Sequence, residues 1–333
     1  MISLGIESTA HTFGIGIVND KSILANTKSV YVPEKKGSGI HPVEAMNHHN
    51  KVKEDVLEQA LTNASLKLDN IDIISYAAGP GLPPCLRVGL DFAKQLGKKL
   101  MPVNHCIAHI EIGRLLTGCE DPLVLYVSGG NTQLIGYASG KYRVFGETLD
   151  IAIGNAIDSF MREIAKQKKI EMNSALGGAM LEEIASKGKN YIELPYVVKG
   201  MDLSFSGIVS AALQKLKKDN NISIHDLCFS FQETCYAMLT EVTERALAHT
   251  GKNELLLTGG VAASLRLRSM LETMCNERGV KLFSCPREYS GDNGTNIAWT
   301  GLLMCNSGCK SVAAGEADFI QKWRTDDVDV TWR

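Results

Sequence analysis

Residues 122–140 read PLVLYVSGGNTQLIGYASG. An apolar run, a turn of small polar residues and a second apolar run predict strand, turn, strand. The layout occurs once more, near the start of the chain, in ISLGIESTAHTFGIGIV (2–18), where Lys21–Asn26 extends the sheet by a third strand. A third element, ELLLTGGVAASLRLRSML (254–271), predicts an apolar strand, a Gly-Gly turn and a helix. Between them IDIISYAAG (71–79) and KKLMPVN (98–104) read as strands. Val52, Val56, Leu57 and Leu61 fall at helical spacing within a helix from about Pro42 to Leu68. Strands and helices alternate in both halves, so the expected class is α/β.

The chain has 333 residues, enough for two domains. Apolar residues make up 44% and charged residues 22%, ordinary for a globular protein, and a net charge of −2 gives no global field for nucleic acid. An RNA partner would need a local patch or another subunit. Lys35–Lys36, Lys94/Lys98/Lys99, Lys166/Lys168/Lys169 and LRLR (265–268) are the basic stretches, each equally readable as a solvated face. The nine cysteines are odd in number and form no CxxC, which predicts reduced thiols. MISLGIE lacks the basic start and apolar core of a secretion signal, and no apolar run is long enough to span a bilayer. A soluble, cytoplasmic protein with no membrane partner is expected.

No GxxxxGK[ST] occurs, and no GxGxxG opens a helix. Small residues instead mark ESTAHT (7–12), SGGNT (128–132) and Gly259–Gly260, where backbone N–H groups can approach phosphate oxygens. The order hairpin, hairpin, strand–GG–helix resembles the actin, sugar-kinase and heat-shock ATPase superfamily (ASKHA). That resemblance implies duplicated lobes with a nucleotide cleft between them. We expect one lobe at 1–120, a second at 121–293, a helix over 294–325 packing back on the first, and a tail at 326–333. In TLDIAIGNAIDSF (148–160), Asp150 is placed to cap a helix. Asp158 is placed either to bond a ribose hydroxyl or to stand in solvent.

NHCIAH (104–109) sets His105 and His109 one helical turn apart, on one face. Zinc proteases follow the first histidine with a glutamate base, and here that slot is Cys106. Tyr126 ends the strand before the SGG turn, and Asp292 stands in GDNGTN (291–296) before a helix. Two imidazoles, a phenolate and a carboxylate would suit iron or zinc. Tyr126 as a core residue, Asp292 as a helix cap and Cys106 as a small buried hydrophobe are the plain alternatives.

GIESTAHTFGIGIV, GPGLPPCLRVG, NHCIAHIEIGR, YVSGGNTQL, DIAIGNAIDSF, TGGVAAS, DNGTNIAW and WRTDDVDVTWR resemble, in order and spacing, the tRNA N6-adenosine threonylcarbamoyltransferase family in its archaeal and eukaryotic KEOPS branch. The resemblance implies transfer of threonylcarbamoyl from threonylcarbamoyl-AMP to N6 of adenosine 37 in ANN-decoding tRNAs. It implies one ion, iron with zinc as the alternative, on His105, His109, Tyr126 and Asp292. It implies an adenine nucleotide along Tyr126, Val127, Ser128, Gly129 and Gly130, meeting Asp158, Gly178, Glu182 and Ser264. It also implies tRNA and the KEOPS subunits as partners: a small protein kinase, a dimerising subunit and a kinase-binding subunit. Ser264 stands where the family usually has Asn, and AKQKKIEMNSALGGAM (165–180) lacks the usual Pro-rich loop. No catalytic residue is assigned, and Glu7 is a weak candidate as proton acceptor. The rivals are a small-molecule kinase of the superfamily, a non-catalytic ATP-binding regulator and, least favoured, a metalloprotease.

Overall fold

Glycine and bulky apolar residues alternate in the first two strands, and that alternation decides what each face can take. In the computed structural model, which describes residues 1–33, 39–169, 177–219 and 221–333, β1 (Ile2–Glu7) pairs antiparallel with β2 (Thr12–Asn19), setting Gly5 opposite Gly16 and Glu7 opposite Gly14. β3 (Ile23–Val30), β4 (Ile73–Gly79) and β5 (Leu100–Asn104) complete a five-stranded sheet in the order β3-β2-β1-β4-β5, with β1, β4 and β5 parallel. One face carries Leu4, Ile6, Phe13, Ile15 and Ile17, fully buried with residues of α1 (Pro42–Ala64) and α2 (Pro83–Gln95). After β5 the chain enters α3 (His105–Thr117), whose first free N–H groups, those of Cys106 and Ile107, donate to Asn104 Oδ1 at 3.0 and 3.2 Å.

The second sheet comprises β6 (Leu123–Val127), β7 (Thr132–Ala138), β8 (Lys141–Glu147), β11 (Glu254–Thr258) and β12 (Lys281–Ser284), in the order β12-β11-β6-β7-β8. β6 and β7 are antiparallel, and β6, β11 and β12 parallel. Read from the hairpin outward, both sheets have one topology. Helices α4 (Ile153–Lys168), α5 (Gly177–Ala185), α6 (Ser206–Lys218), α7 (Ile224–Thr250) and α8 (Leu265–Arg278) supply much of this core, with a ribbon of β9 (Val198–Lys199) and β10 (Asp202–Leu203). A single-turn α9 (Arg287–Ser290) precedes α10 (Gly294–Asn306).

The chain divides into two compact units. One is 1–116, 138–143 and 291–333, and the other is 117–137 and 144–290. The first unit takes α10 on the glycine face of its sheet. A Cβ on Gly16 would lie 2.1 Å from Thr295 N, and one on Gly5 2.1 Å from Ala298 N, so only glycine lets the helix lie against the strand backbones. The helix expected over 294–325 ends at Asn306, because Gly308 at φ +85° turns the chain away. From there residues 307–333 run as turns and extended chain with one 3-10 turn (Thr325–Asp327). Asp150 does not cap α4, whose N-cap is Ala152. Its carboxylate accepts from Phe205 N (2.9 Å) and Ser206 N (3.0 Å), and so serves the start of α6. Lys35–Lys36 and most of the 170–180 stretch lie outside the described residues. Among the described residues, no helix is long and apolar enough to cross a membrane.

Candidate metal centre and glycine turns

The first unit gathers three of the four expected metal ligands. His105 Nε2 lies 3.6 Å and His109 Nε2 3.4 Å from Asp292 Oδ1, and one ligand atom from each residue fits within 4.8 Å of the others. The folding logic is local. The four-residue spacing puts both rings on one face of α3. The glycine face of β1–β2 admits α10, whose preceding turn delivers Asp292. Asn293 is the residue that caps α10, accepting from Asn296 N at 3.2 Å, so Asp292 is not spent as a cap. Asn296 on the first turn of α10 stands 3.4 Å from His109 Nδ1.

These separations suit an ion better than direct hydrogen bonds. Ligands about 2.0–2.1 Å from a tetrahedral centre sit roughly 3.3–3.5 Å from one another. His105 donates Nδ1–H to Glu7 Oε2 at 2.8 Å, which keeps Nε2 free for a ligand's role, the carboxylate–histidine arrangement common behind metal-bound imidazoles. Glu7 Oε1 accepts from Thr9 N (2.7 Å) and Thr9 Oγ1 (2.5 Å). Both carboxylate oxygens are therefore engaged, and Glu7 positions His105. Burial alone would depress His105, but Glu7 and Asp292 raise it to about 9. Burial lowers His109, with Asp292 opposing. Asp292, which burial would raise, is held well below the usual carboxylate range by His109 and His105. Burial pushes the Cys106 thiol up to about 12, so it is the small buried hydrophobe and not a nucleophile. His11, which the sequence reading passed over, points Nδ1 at Asp292 Oδ2 from 3.9 Å.

The second unit carries Tyr126 and the nucleotide candidates. Tyr126 and Val127 close β6 and are fully buried. Val127 is part of the apolar core, so only its backbone is available to a ligand. The turn after them is pinned by Ser128 Oγ, which accepts from Asn131 N at 3.0 Å, while Gly129 and Gly130 are exposed and a Cβ on either would meet open space. Gly259, at φ +97°, packs so closely that its Cβ would lie 2.2 Å from Val127 O. The SGG and Gly-Gly turns therefore adjoin at the carboxyl ends of the parallel strands β6 and β11, where open α/β sheets bind ligands. Asp158 Oδ1 accepts from Gly177 N at 2.8 Å and anchors the start of α5, beside Gly178. Glu182 Oε1 accepts from Arg266 N (2.9 Å) and lies 3.5 Å from Ser264 Oγ, which caps α8 by accepting from Leu267 N at 3.3 Å. The LRLR arginines are spoken for in part: Arg266 grips Glu233 with two bonds of 2.6 Å, and Arg268 lies 3.8 Å from Glu272.

The model of the family described as TsaD, tRNA N6-adenosine threonylcarbamoyltransferase, matches residues 22–299. A tRNA N6-adenosine threonylcarbamoyltransferase of Thermococcus kodakarensis is 50% identical, with 100% of both chains covered. A probable bifunctional tRNA threonylcarbamoyladenosine biosynthesis protein of Methanosphaera stadtmanae is 49% identical over 100% of this chain and 61% of its own length. A full-length HypF, solved in a phosphate- and nucleotide-bound form, superposes with a TM-score of 0.63 at 11% identity over 92% of this chain and 46% of that one. Its likeness concerns the fold, which is of the ASKHA type.

Proposed function

We infer from the tRNA N6-adenosine threonylcarbamoyltransferase family, to which this chain belongs, that it is an acyltransferase forming N6-threonylcarbamoyladenosine in tRNA. In the finer reading, the donor is threonylcarbamoyl-AMP and the acceptor is N6 of adenosine 37 in ANN-decoding tRNAs. The donor is a mixed carbamic–phosphoric anhydride and is already activated. N6 forms a C–N bond to the carbamoyl carbon, the C–O bond to phosphate breaks, AMP departs with the electron pair, and the N6 proton passes to solvent. No covalent nucleophile is required, and the protein's work is to align the carbonyl with the amine and stabilise developing charge.

His105, His109 and Asp292 would hold one ion, iron or zinc, with Tyr126 as the fourth ligand. Such an ion supplies a Lewis acid for the carbamoyl carbonyl. Glu7 keeps the His105 proton on Nδ1. Backbone N–H groups of Ser128, Gly129 and Gly130 would receive phosphate, and Asp158, Gly178, Glu182 and Ser264 would meet the nucleoside. The observation that carries the metal reading is the pair of 3.4 and 3.6 Å imidazole–carboxylate separations behind a Glu7-bonded ring. We place the chain in the cytoplasm, as the catalytic subunit of a KEOPS-type complex with a small kinase, a dimerising subunit and a kinase-binding subunit. The near-neutral charge leaves tRNA binding to be shared with them. A sugar-kinase-like activity would use the same glycine turns but give the His/His/Asp cluster no task.

The test is incubation of the chain and those partners with synthetic threonylcarbamoyl-AMP and unmodified tRNA, followed by nucleoside mass spectrometry. Modified adenosine at position 37 is the expected product. ATP turnover driven by a small hydroxyl or acid acceptor, with unmodified tRNA, would overturn the reading.

A further inference from the structure

Glu111 is a carboxylate only 1% exposed on α3, with no part in the chemistry above. Burying such a group costs several kcal/mol unless donors surround it. Its donors come from three places: Tyr142 OH (2.6 Å to Oε1), Trp332 Nε1 (2.8 Å to Oε1) and Arg114 Nη1 (2.7 Å to Oε2). Next to Trp332, Arg333 lies over the Tyr142 ring at 5.5 Å.

The preceding tail follows the same helix. Asn104, the residue that caps α3, donates from Nδ2 to Trp323 O (3.2 Å) and Arg324 O (3.5 Å). Val330 N donates to Gly140 O at 2.8 Å, and Lys141 pairs with Asp329 at 3.1 Å. At 100° per residue, Glu111 leaves α3 roughly 200° round from His109, on the far side from the ligand face.

We propose that residues 323–333 form a brace that fixes the position and rotation of α3, and that Glu111 and Trp332 are positioning residues for the ion held by His105 and His109. Every contact lies within the first unit. The tail bonds the helix at its cap, Asn104, and again seven residues on, at Glu111, so it holds both ends of the segment bearing the two histidines. Freed of Trp332, the helix keeps its cap and the Tyr142 bond but loses one of the two contacts from outside α3 that hold Glu111.

The inference rests on the metal reading, and its test separates the two. The full chain is loaded with zinc, and release into a chromogenic chelator is timed for the parent, Trp332→Phe, a chain shortened by its last two residues, and Leu271→Ala as a control. Leu271 is fully buried in the core of the second unit. Release is expected to quicken about 3-fold in Trp332→Phe and about 10-fold in the shortened chain, the low end of what loss of support behind a ligand causes. Leu271→Ala is expected to change release less than about 2-fold, despite a larger loss of thermal stability. Tail variants that release at the parent's rate, or a control that quickens as much as they do, would overturn the brace. A parent that takes up no zinc would overturn the metal reading and the brace with it.

Discussion

The two five-stranded sheets share a topology and differ in how they are covered. In the second unit large side chains do the work: Phe160 and Phe231 stack at 4.1 Å among Leu, Ile and Val from the sheet and its helices. In the first unit one sheet face is filled in that way, but the other carries Gly5, Gly14 and Gly16 on β1 and β2, so that α10 rests on backbone there and on side chains such as Ile73 and Val103 only beside them. The difference shows what close approach is for. A helix held at side-chain distance could not bring its leading turn to the histidines of α3. The second unit instead spends its glycines at strand ends, where Gly129 and Gly130 leave backbone open to a ligand.

This contrast can be broken by exchanging one kind of packing for the other. Phe231→Ala removes a stacked, fully buried ring and should cost about 4 kcal/mol in urea unfolding, while zinc stoichiometry stays at the parent value because His105, His109 and Asp292, three of the four proposed ligands, lie in the first unit. Gly16→Val goes the other way. With Thr295 N only 2.1 Å from the new Cβ, α10 must move, costing about 3 kcal/mol. Zinc should be lost with it. A Gly16→Val chain that keeps its ion would show that the glycine face does not set the site.

Acid sharpens the same comparison, since buried imidazoles belong to the first unit. His49 is fully buried, and burial, then the neighbouring His48, lowers it from 6.5 to about 4. The native state excludes a proton that the unfolded chain binds in this window. Stability is therefore complete above pH 6.5 and falls as pH drops toward 4, by up to about 3 kcal/mol from this group. His105, raised from 6.5 to about 9, acts oppositely: in the metal-free protein its contribution is present throughout that window and is lost progressively as pH rises from 6.5 through 9. His49→Phe should flatten the urea-derived stability profile between pH 6.5 and 4. A slope unchanged by the substitution would assign the loss to other groups. The smallest effect is expected at Asp150: Asp150→Ala removes acceptors for Phe205 and Ser206 N–H and should cost about 1 kcal/mol, with faster amide exchange confined to the start of α6.

What could be read in the sequence was whatever depended on neighbours in the chain. The His105/His109 face follows from helical periodicity, and the two strand–turn–strand units follow from apolar runs around small residues. Partnerships between distant segments were hidden. Glu7 and His105 are separated by 98 positions, and nothing at Glu7 marks it as the histidine's support. Asp150 has the right residue type for a cap, but its target lies 55 positions on, at α6. The expected long helix after Gly294 failed because Gly308 halts it. The freed tail is what reaches Glu111.

The central claim is that His105, His109 and Asp292 hold an ion that the acyl transfer needs. Elemental analysis of the purified chain alongside His109→Ala tests it most directly. About one iron or zinc per parent chain and almost none in the variant is the predicted result. Equal metal in the two, or none in either after loading, would contradict it.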